Sequence, residues 1–273
     1  MKLGLKGGLS VKIGYALVAI YTGLAVFAPY LPLRDPNEIN VDNLMSRPSR
    51  EYPFGTDLNG MDILSRTIFA SRVDLSIAFS AVLLALILGI LIGSLIGFTG
   101  GILDSLFSRF LDLFQSYPVL ILALAISGIA KDSLLTVVFI ITLVDAPVFI
   151  RLVRSEVVRL KTALFVDSAR ALGNSDFRIV FRHILPLAVP PVLVQIPIRI
   201  AYSINIVAAM AFVGVGIQPP TPEWGSMIKL GTPYIGSGQW WMAIFPGLAI
   251  FGICLALNLI SDDLQKKSLR TRA

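Results

Sequence analysis

Residues 75–98 read LSIAFSAVLLALILGILIGSLIGF and contain no Asp, Glu, Lys or Arg. As a helix rising 1.5 Å per residue this run is roughly 36 Å long, enough to cross a hydrocarbon core of about 30 Å. A water-soluble domain has no use for a helix apolar on every face, so this stretch places the chain in a membrane. Within it, Gly89, Gly93 and Gly97 recur every fourth residue and form one stripe, where a second helix backbone can approach closely.

Similar apolar runs flank this one. A first span runs from about Ile13 to Leu31, ending at Pro29 and Pro32 without a small-residue cleavage site, and so reads as retained and not as a removed leader. A third runs from about Phe110 to Ile129, broken by Pro118, and a fourth from about Ser133 to Ile150. The fifth begins near Leu187, and the sixth runs from near Trp241 to about Ile260. The expected fold is therefore an all-α polytopic membrane protein of six transmembrane helices, residues 1–273 forming a single transmembrane domain. No internal repeat interrupts it.

Composition agrees. The chain has 273 residues, 55% of them hydrophobic and only 15% charged, with a mean hydropathy of +0.79. That leaves too few charges to cover a soluble globule. The formal charge of +6 excludes nucleic acid as the expected partner, because Lys and Arg sit in short segments beside apolar runs, where they set orientation and meet lipid headgroups. Membrane lipid is the partner they imply. The single Cys254 rules out an intrachain disulfide or a cysteine metal cluster.

Counting basic residues chooses the orientation. With both termini in the cytoplasm, Lys2, Lys6 and Lys12, seven Lys/Arg from Arg151 to Arg182 and four after Asp262 lie inside, with Arg109. Arg34, Arg47, Arg50, Arg66, Arg72, Lys131 and Lys229 lie outside. The positive-inside rule favours this arrangement. Residues 34–72 then form an external loop, 151–186 a cytoplasmic segment and 262–273 a cytoplasmic tail. Trp224, Trp240 and Trp241 fall near the outer headgroup boundary, and anchoring there is the preferred reading of all three.

Few charges fall at membrane depth. Asp145 lies late in span four and Arg199 about a dozen residues into span five, and each should face protein or water. Three roles stand open: the two pair with each other, Arg199 lines a polar path for an acidic or carboxylate-bearing substrate, or each packs against the protein and snorkels to water. Pro190, Pro191 and Pro197 make span five irregular, which is tolerated where a helix lines protein or water. The one histidine, His183, lies in the cytoplasmic segment, which leaves a proton-driven carrier poorly equipped. No G-x-x-x-x-G-K-[ST] phosphate loop and no His/Cys/carboxylate set with metal-ligand spacing occurs. The chain is expected to be neither an enzyme nor a metal or cofactor protein.

Between spans four and five, residues 155–186 read SEVVRLKTALFVDSARALGNSDFRIVFRHILP. Phe165, Ala169 and Leu172 share one helical face, and Gly173-Asn174 ends that helix. Ser175 can cap a second one carrying Phe177, Phe181 and Ile184. Two short amphipathic helices joined by a turn give another protein something to grip.

This segment resembles the coupling loop of bacterial ABC importer permeases, whose pattern is Glu-Ala-Ala, three residues, Gly, nine residues, Ile, one residue, Leu-Pro. The counterparts here are Asp167, Ser168 and Ala169, then Gly173, His183, Leu185 and Pro186, with Asp for Glu, Ser for Ala and His for Ile. Phe54-Gly55-Thr56-Asp57 with Gly60 and Asp62, Phe212 to Gly216, Gln218 to Gly225, and Pro246 to Ala249 with Asn258-Leu259 and Asp262 resemble the dipeptide, oligopeptide and nickel permease subfamily. The likeness runs from about Tyr52 to Leu264 and is nearest the second permease of such a pair. Met61 stands where relatives often carry Arg, and an acidic residue common in span five is replaced around Val207.

The resemblance implies a subunit of an ATP-driven importer in a prokaryotic cytoplasmic membrane. A homologous permease would complete the path, two ABC ATPase subunits would bind ATP, and an external solute-binding protein would deliver substrate. Coupling would fall to Phe165, Asp167, Ser168, Ala169, Leu172, Gly173, Leu185 and Pro186, with Ala169 on the face entering the ATPase. Peptides are the preferred substrate among peptides, metal chelates, opines and sugars. The rival readings are a secondary transporter or channel working without an ATPase and a membrane-embedded enzyme.

Overall fold

The computed structural model describes residues 7–127 and 133–272, with side chains from 9 to 127 and from 133 to 268. Lys2, Lys6 and Lys131, and the Ile129 end of the third span, lie outside the described residues. The described chain is helical apart from its turns and the irregular segment 31–62, which holds a 3-10 turn at Val41–Asn43 and one isolated bridge between Thr56 and Asp62.

Helix α1 (Gly7–Phe27) starts earlier than hydropathy suggests and closes in a short 3-10 turn at Ala28–Tyr30. Helix α2 (Ile63–Thr99) has 37 residues, a length of roughly 55 Å that exceeds the membrane. It starts inside the segment assigned to the 34–72 loop, because Asp62 caps it: the carboxylate accepts from Ser65 N at 2.9 Å and from Ser65 Oγ at 2.7 Å. Hydropathy sees only the apolar part of such a helix. Gly100, at φ +69°, ends it.

Helix α5 (Leu134–Lys161), capped by Ser133, packs along α2 as the central pair of the fold. The glycine stripe lies in this contact. A Cβ at Gly89 would stand 2.5 Å from Phe149 Cβ, and one at Gly93 would stand 2.6 Å from the Ile150 carbonyl. Gly97 meets the Arg154 carbonyl at 3.0 Å in the same way. The stripe therefore joins two helices of this chain, not two subunits. Helix α5 also runs past Ile150, so the first part of the 151–186 segment is an extension of a span.

The third span is not one rod. Helices α3 (Gly101–Gln115) and α4 (Val119–Ser127) meet at an angle of 87°. Pro118 causes the break, since its ring disfavours helix at Tyr117 and it offers no N–H to Phe114. Helix α3 is held along α5 by Arg154 and Asp104, whose Nη2 to Oδ2 distance is 2.6 Å, and by Arg151 to Asp112, also 2.6 Å. Among the described residues, five helices are long and apolar enough to cross a membrane, and the bent pair makes six.

Beyond the cytoplasmic segment, α6 (Leu164–Ala171) and α7 (Asp176–Arg178) lead through a π-helical turn (Ile179–Ile184) into α8 (Leu185–Leu193). Span five breaks at Val194-Gln195 and resumes as α9 (Ile196–Val213). A short helix, α10 (Trp224–Gly231), dips back against α9, and α11 (Trp241–Arg272) completes the fold. Helix α11 continues through the residues assigned to a tail from 262 onward.

The outer end corrects the reading of the tryptophans. Trp224 and Trp241 are buried in the protein, and their indole N–H groups donate to the Thr67 carbonyl at 2.9 Å and the Thr56 carbonyl at 3.1 Å. Only Trp240 is exposed as a headgroup anchor must be. Glu223 caps α10, accepting from Gly225 N at 2.7 Å and Ser226 N at 2.6 Å. Burial pushes its carboxyl above the usual carboxylate range against the pull of those two donors. Gly225 is required because a Cβ there would stand 2.5 Å from the Ala208 backbone.

Candidate functional site

The cytoplasmic end is built as a rigid corner. At the end of α6, Gly173 N donates to the Arg170 carbonyl at 3.0 Å and Asn174 N to the Ala169 carbonyl at 3.1 Å. This pair of bonds is a Schellman closure, and it needs the left-handed backbone that Gly173 adopts at φ +79°. Ser175 then caps the next turn, its hydroxyl accepting from Arg178 N. Arg170 and Asp176 face each other across the turn at 3.6 Å.

One face of this corner belongs to the protein core. Val166 and Ala169 are buried at 0% and 6% exposure, in a cluster with Val157 and Leu160 of α5 and with Ile179, Ile184 and Leu185. Apolar side chains on the other face find no such cover. Leu164 is 84% exposed, Leu172 83% and Phe177 72%, while Phe165 and Phe181 are partly exposed and the tilted rings of Phe177 and Phe181 lie 4.5 Å apart. Asp167, Ser168, Gly173 and Pro186 are exposed as well.

Ala169 is thus corrected: it faces this chain's own core and is no side chain for a partner's groove. The grouping of Phe165 with Ala169 and Leu172 is off by one helical position. Phe165, Ser168 and Leu172 make the outward stripe, and Val166 and Ala169 make the inward one. Leu185 is likewise a core residue. Exposed large apolar side chains concentrated at the tip of a packed corner form a surface suited to contact with another protein.

At membrane depth, Asp145 of α5 and Arg199 of α9 form an ion pair, with the Asp145 side chain at 0% exposure and Arg199 at 17%. Ser203 Oγ donates to the other Asp145 oxygen at 2.7 Å. The Arg199 guanidinium also lies 4.5 Å from the centre of the Tyr202 ring, in cation–π range. The pairing of the two charges is thus observed. Arg199 is paired, and its other side reaches a cavity of about 260 Å3 that Gln115, Tyr117 and Tyr202 line at the α3–α4 bend. A substrate carboxylate there would meet a cation already neutralised by Asp145.

Sequence reasoning missed several polar residues that fix the outer end. Asp74 of α2, 1% exposed, accepts from Trp224 N at 3.1 Å and ties α10 to α2. Arg66, also buried, donates to the Pro36 carbonyl at 2.7 Å and lies 3.7 Å from Asp57. A charge flanking an apolar run reads as a loop residue, and the only signal against that was that α2 could be capped as early as Asp62. Among the described residues, no three His, Cys, Asp or Glu side chains are grouped to hold a metal ion.

Comparison with known proteins places these features in context. Residues 89–270 match the family described as binding-protein-dependent transport system inner membrane component. The chain is 38% identical to the dipeptide transport system permease protein DppC of Alkalihalophilus pseudofirmus over 253 residues, covering 93% of this chain and 83% of that one. It is 37% identical to the glutathione transport system permease protein GsiD of Escherichia coli, covering 89% and 80% of the two chains. A chain of the MetNI methionine ABC transporter in an inward-facing conformation has the same fold at a TM-score of 0.56 and 20% identity, covering 73% of this chain and 96% of that one.

Proposed function

The chain belongs to the binding-protein-dependent transport system inner membrane components and is a permease subunit of an ATP-driven importer. From that premise we propose that its cargo is a peptide or a related small solute, the class named for its relatives. A homologous permease completes the path, two ABC ATPases bind ATP below, and an external solute-binding protein delivers cargo above. Both termini lie in the cytoplasm. The chain binds no nucleotide or cofactor of its own, and relatives named as dipeptide and glutathione transport system permeases favour this reading over a self-contained transporter or a membrane enzyme.

The observation that carries the coupling role is the outward apolar tip of Leu164, Leu172 and Phe177 on a corner whose inner face is locked into the α5 core. An ATPase gripping that tip does work on the permease only if its contacts differ between two states. A packed corner transmits the difference, because Val166 and Ala169 cannot shift without moving Val157 and Leu160. Helix α5 then carries the displacement to Asp145 and, through the ion pair, to α9 beside the α3–α4 cavity. Phe165, Asp167, Ser168 and Gly173 hold or border the tip, while Leu185 and Pro186 join it to α8.

Reconstitution tests the reading. The permease pair with its ATPases and binding protein in liposomes should take up labelled dipeptide when ATP is inside, and the pair alone should not. Uptake by the permeases without ATPase would overturn the proposal in favour of a self-contained transporter.

A further inference from the structure

A groove of about 890 Å3 opens between α1 and α2, with almost entirely apolar walls that include Val26, Leu75 and Phe79 and, from α9 and α11, Ile200 and Ile253. Val26 and Phe79 are among the exposed large apolar residues. Arg72 stands at its upper end and also lines an adjoining cavity of about 680 Å3, which holds Arg34, Asp35 and Asn37.

The neighbouring cations are engaged. Arg34 bonds Tyr52 and Glu51 at 2.9 and 3.0 Å, and Arg66 is held by Pro36 and Asp57. Arg72 is exposed and makes no hydrogen bond or ion pair among the described residues. It precedes by three positions the apolar run that begins at Leu75, so it sits at headgroup level, directly above hydrocarbon.

An amphiphile with an anionic head fits this arrangement. A guanidinium binds phosphate oxygens in a bidentate fork. Below it, the α1 wall from Val26 down to Val18 spans roughly 12 Å at 1.5 Å per residue, most of one leaflet's share of a core about 30 Å thick. A free anion would have no use for the apolar slot. A partner helix would have to bring an acidic side chain to headgroup level.

We propose that the α1–α2 groove is a phospholipid site, with the phosphate on Arg72 and an acyl chain in the slot. The lipid belongs to the leaflet at the amino-terminal end of α2. It would fasten α1, a span with little of itself buried and one outside the matched residues 89–270, to the rest of the fold.

Native mass spectrometry of the purified importer complex, loaded with palmitoyl-oleoyl-phosphatidylglycerol, tests this. Wild type and R72K should each retain one more lipid than R72Q after detergent exchange, and palmitoyl-oleoyl-glycerol, which lacks phosphate, should not be retained at the site. Equal retention by R72Q, or retention of palmitoyl-oleoyl-glycerol, overturns the site. Photoactivatable phosphatidylglycerol gives a reading on the wild-type complex alone. Its acyl label should appear on α1 or α2 between Val18 and Val26 or between Arg72 and Phe79, and labelling only elsewhere refutes the proposal.

Discussion

Asp145, with no exposed side-chain surface, holds Arg199 from one carboxylate oxygen and Ser203 from the other, joining α5 to α9 at membrane depth. Truncating one member of such a pair leaves its partner charged and uncompensated, a loss of about 3–5 kcal/mol. Arg199→Gln and Asp145→Asn should each lower the thermal stability of the solubilised complex, and the double variant should lose less than the two losses added. Strict additivity in this cycle would mean that the pair contributes no coupling between the helices.

Close approach at Gly93 leads to a second expectation. A methyl group there meets the Ile150 carbonyl at 2.6 Å, so Gly93→Ala should cost about 1–3 kcal/mol by overpacking and Gly93→Leu more. The damage belongs to this subunit's own α2–α5 contact and should appear as reduced folded yield before any pairing with another permease. Gly23→Leu, with nothing within 4 Å of its Cβ position, is the matched control and should fold normally. Thermal unfolding of the two variants decides the point.

At the outer end, Glu223→Gln keeps the shape of the α10 cap but offers one acceptor oxygen in place of two. Either Gly225 N or Ser226 N then loses its partner, at about 1–3 kcal/mol for a buried donor. Hydrogen exchange measured on the complex should rise at Gly225 and Ser226 while the amides of α6 stay protected. Unchanged protection at both residues would show that the cap is not held by Glu223.

The membrane class, the helical fold and the cytoplasmic corner were legible because each leaves a local pattern: the apolar run from Leu75 to Phe98, the Gly-every-four stripe, and the Gly173-Asn174-Ser175 turn. Helix ends were not, since residues 63–74 and 151–161 continue their helices with polar side chains that hydropathy counts as loop. Nor was the 87° bend, because a proline announces a break without giving its angle. Ala169 was misplaced because the inward stripe it belongs to adjoins the outward one on α6, and only its place with Val166, Val157 and Leu160 in one buried cluster shows which way it turns. Buried roles for Asp74, Trp224 and Trp241 depend on contacts from residues distant in sequence, and no local pattern records them.

Coupling to an ATPase rests on the outward tip of the cytoplasmic corner. Leu172→Asp and Leu164→Asp place a charge on residues more than 80% exposed, so both variants should fold and keep the thermal stability of wild type. Ala169→Arg, which drives a guanidinium into the core beside Val166, should not fold. The measurement is ATP hydrolysis by the reconstituted complex with and without dipeptide-loaded binding protein. The two aspartate variants should lose ATPase association, or lose the stimulation by loaded binding protein, together with uptake. Full stimulation and normal uptake in both would contradict coupling through this tip.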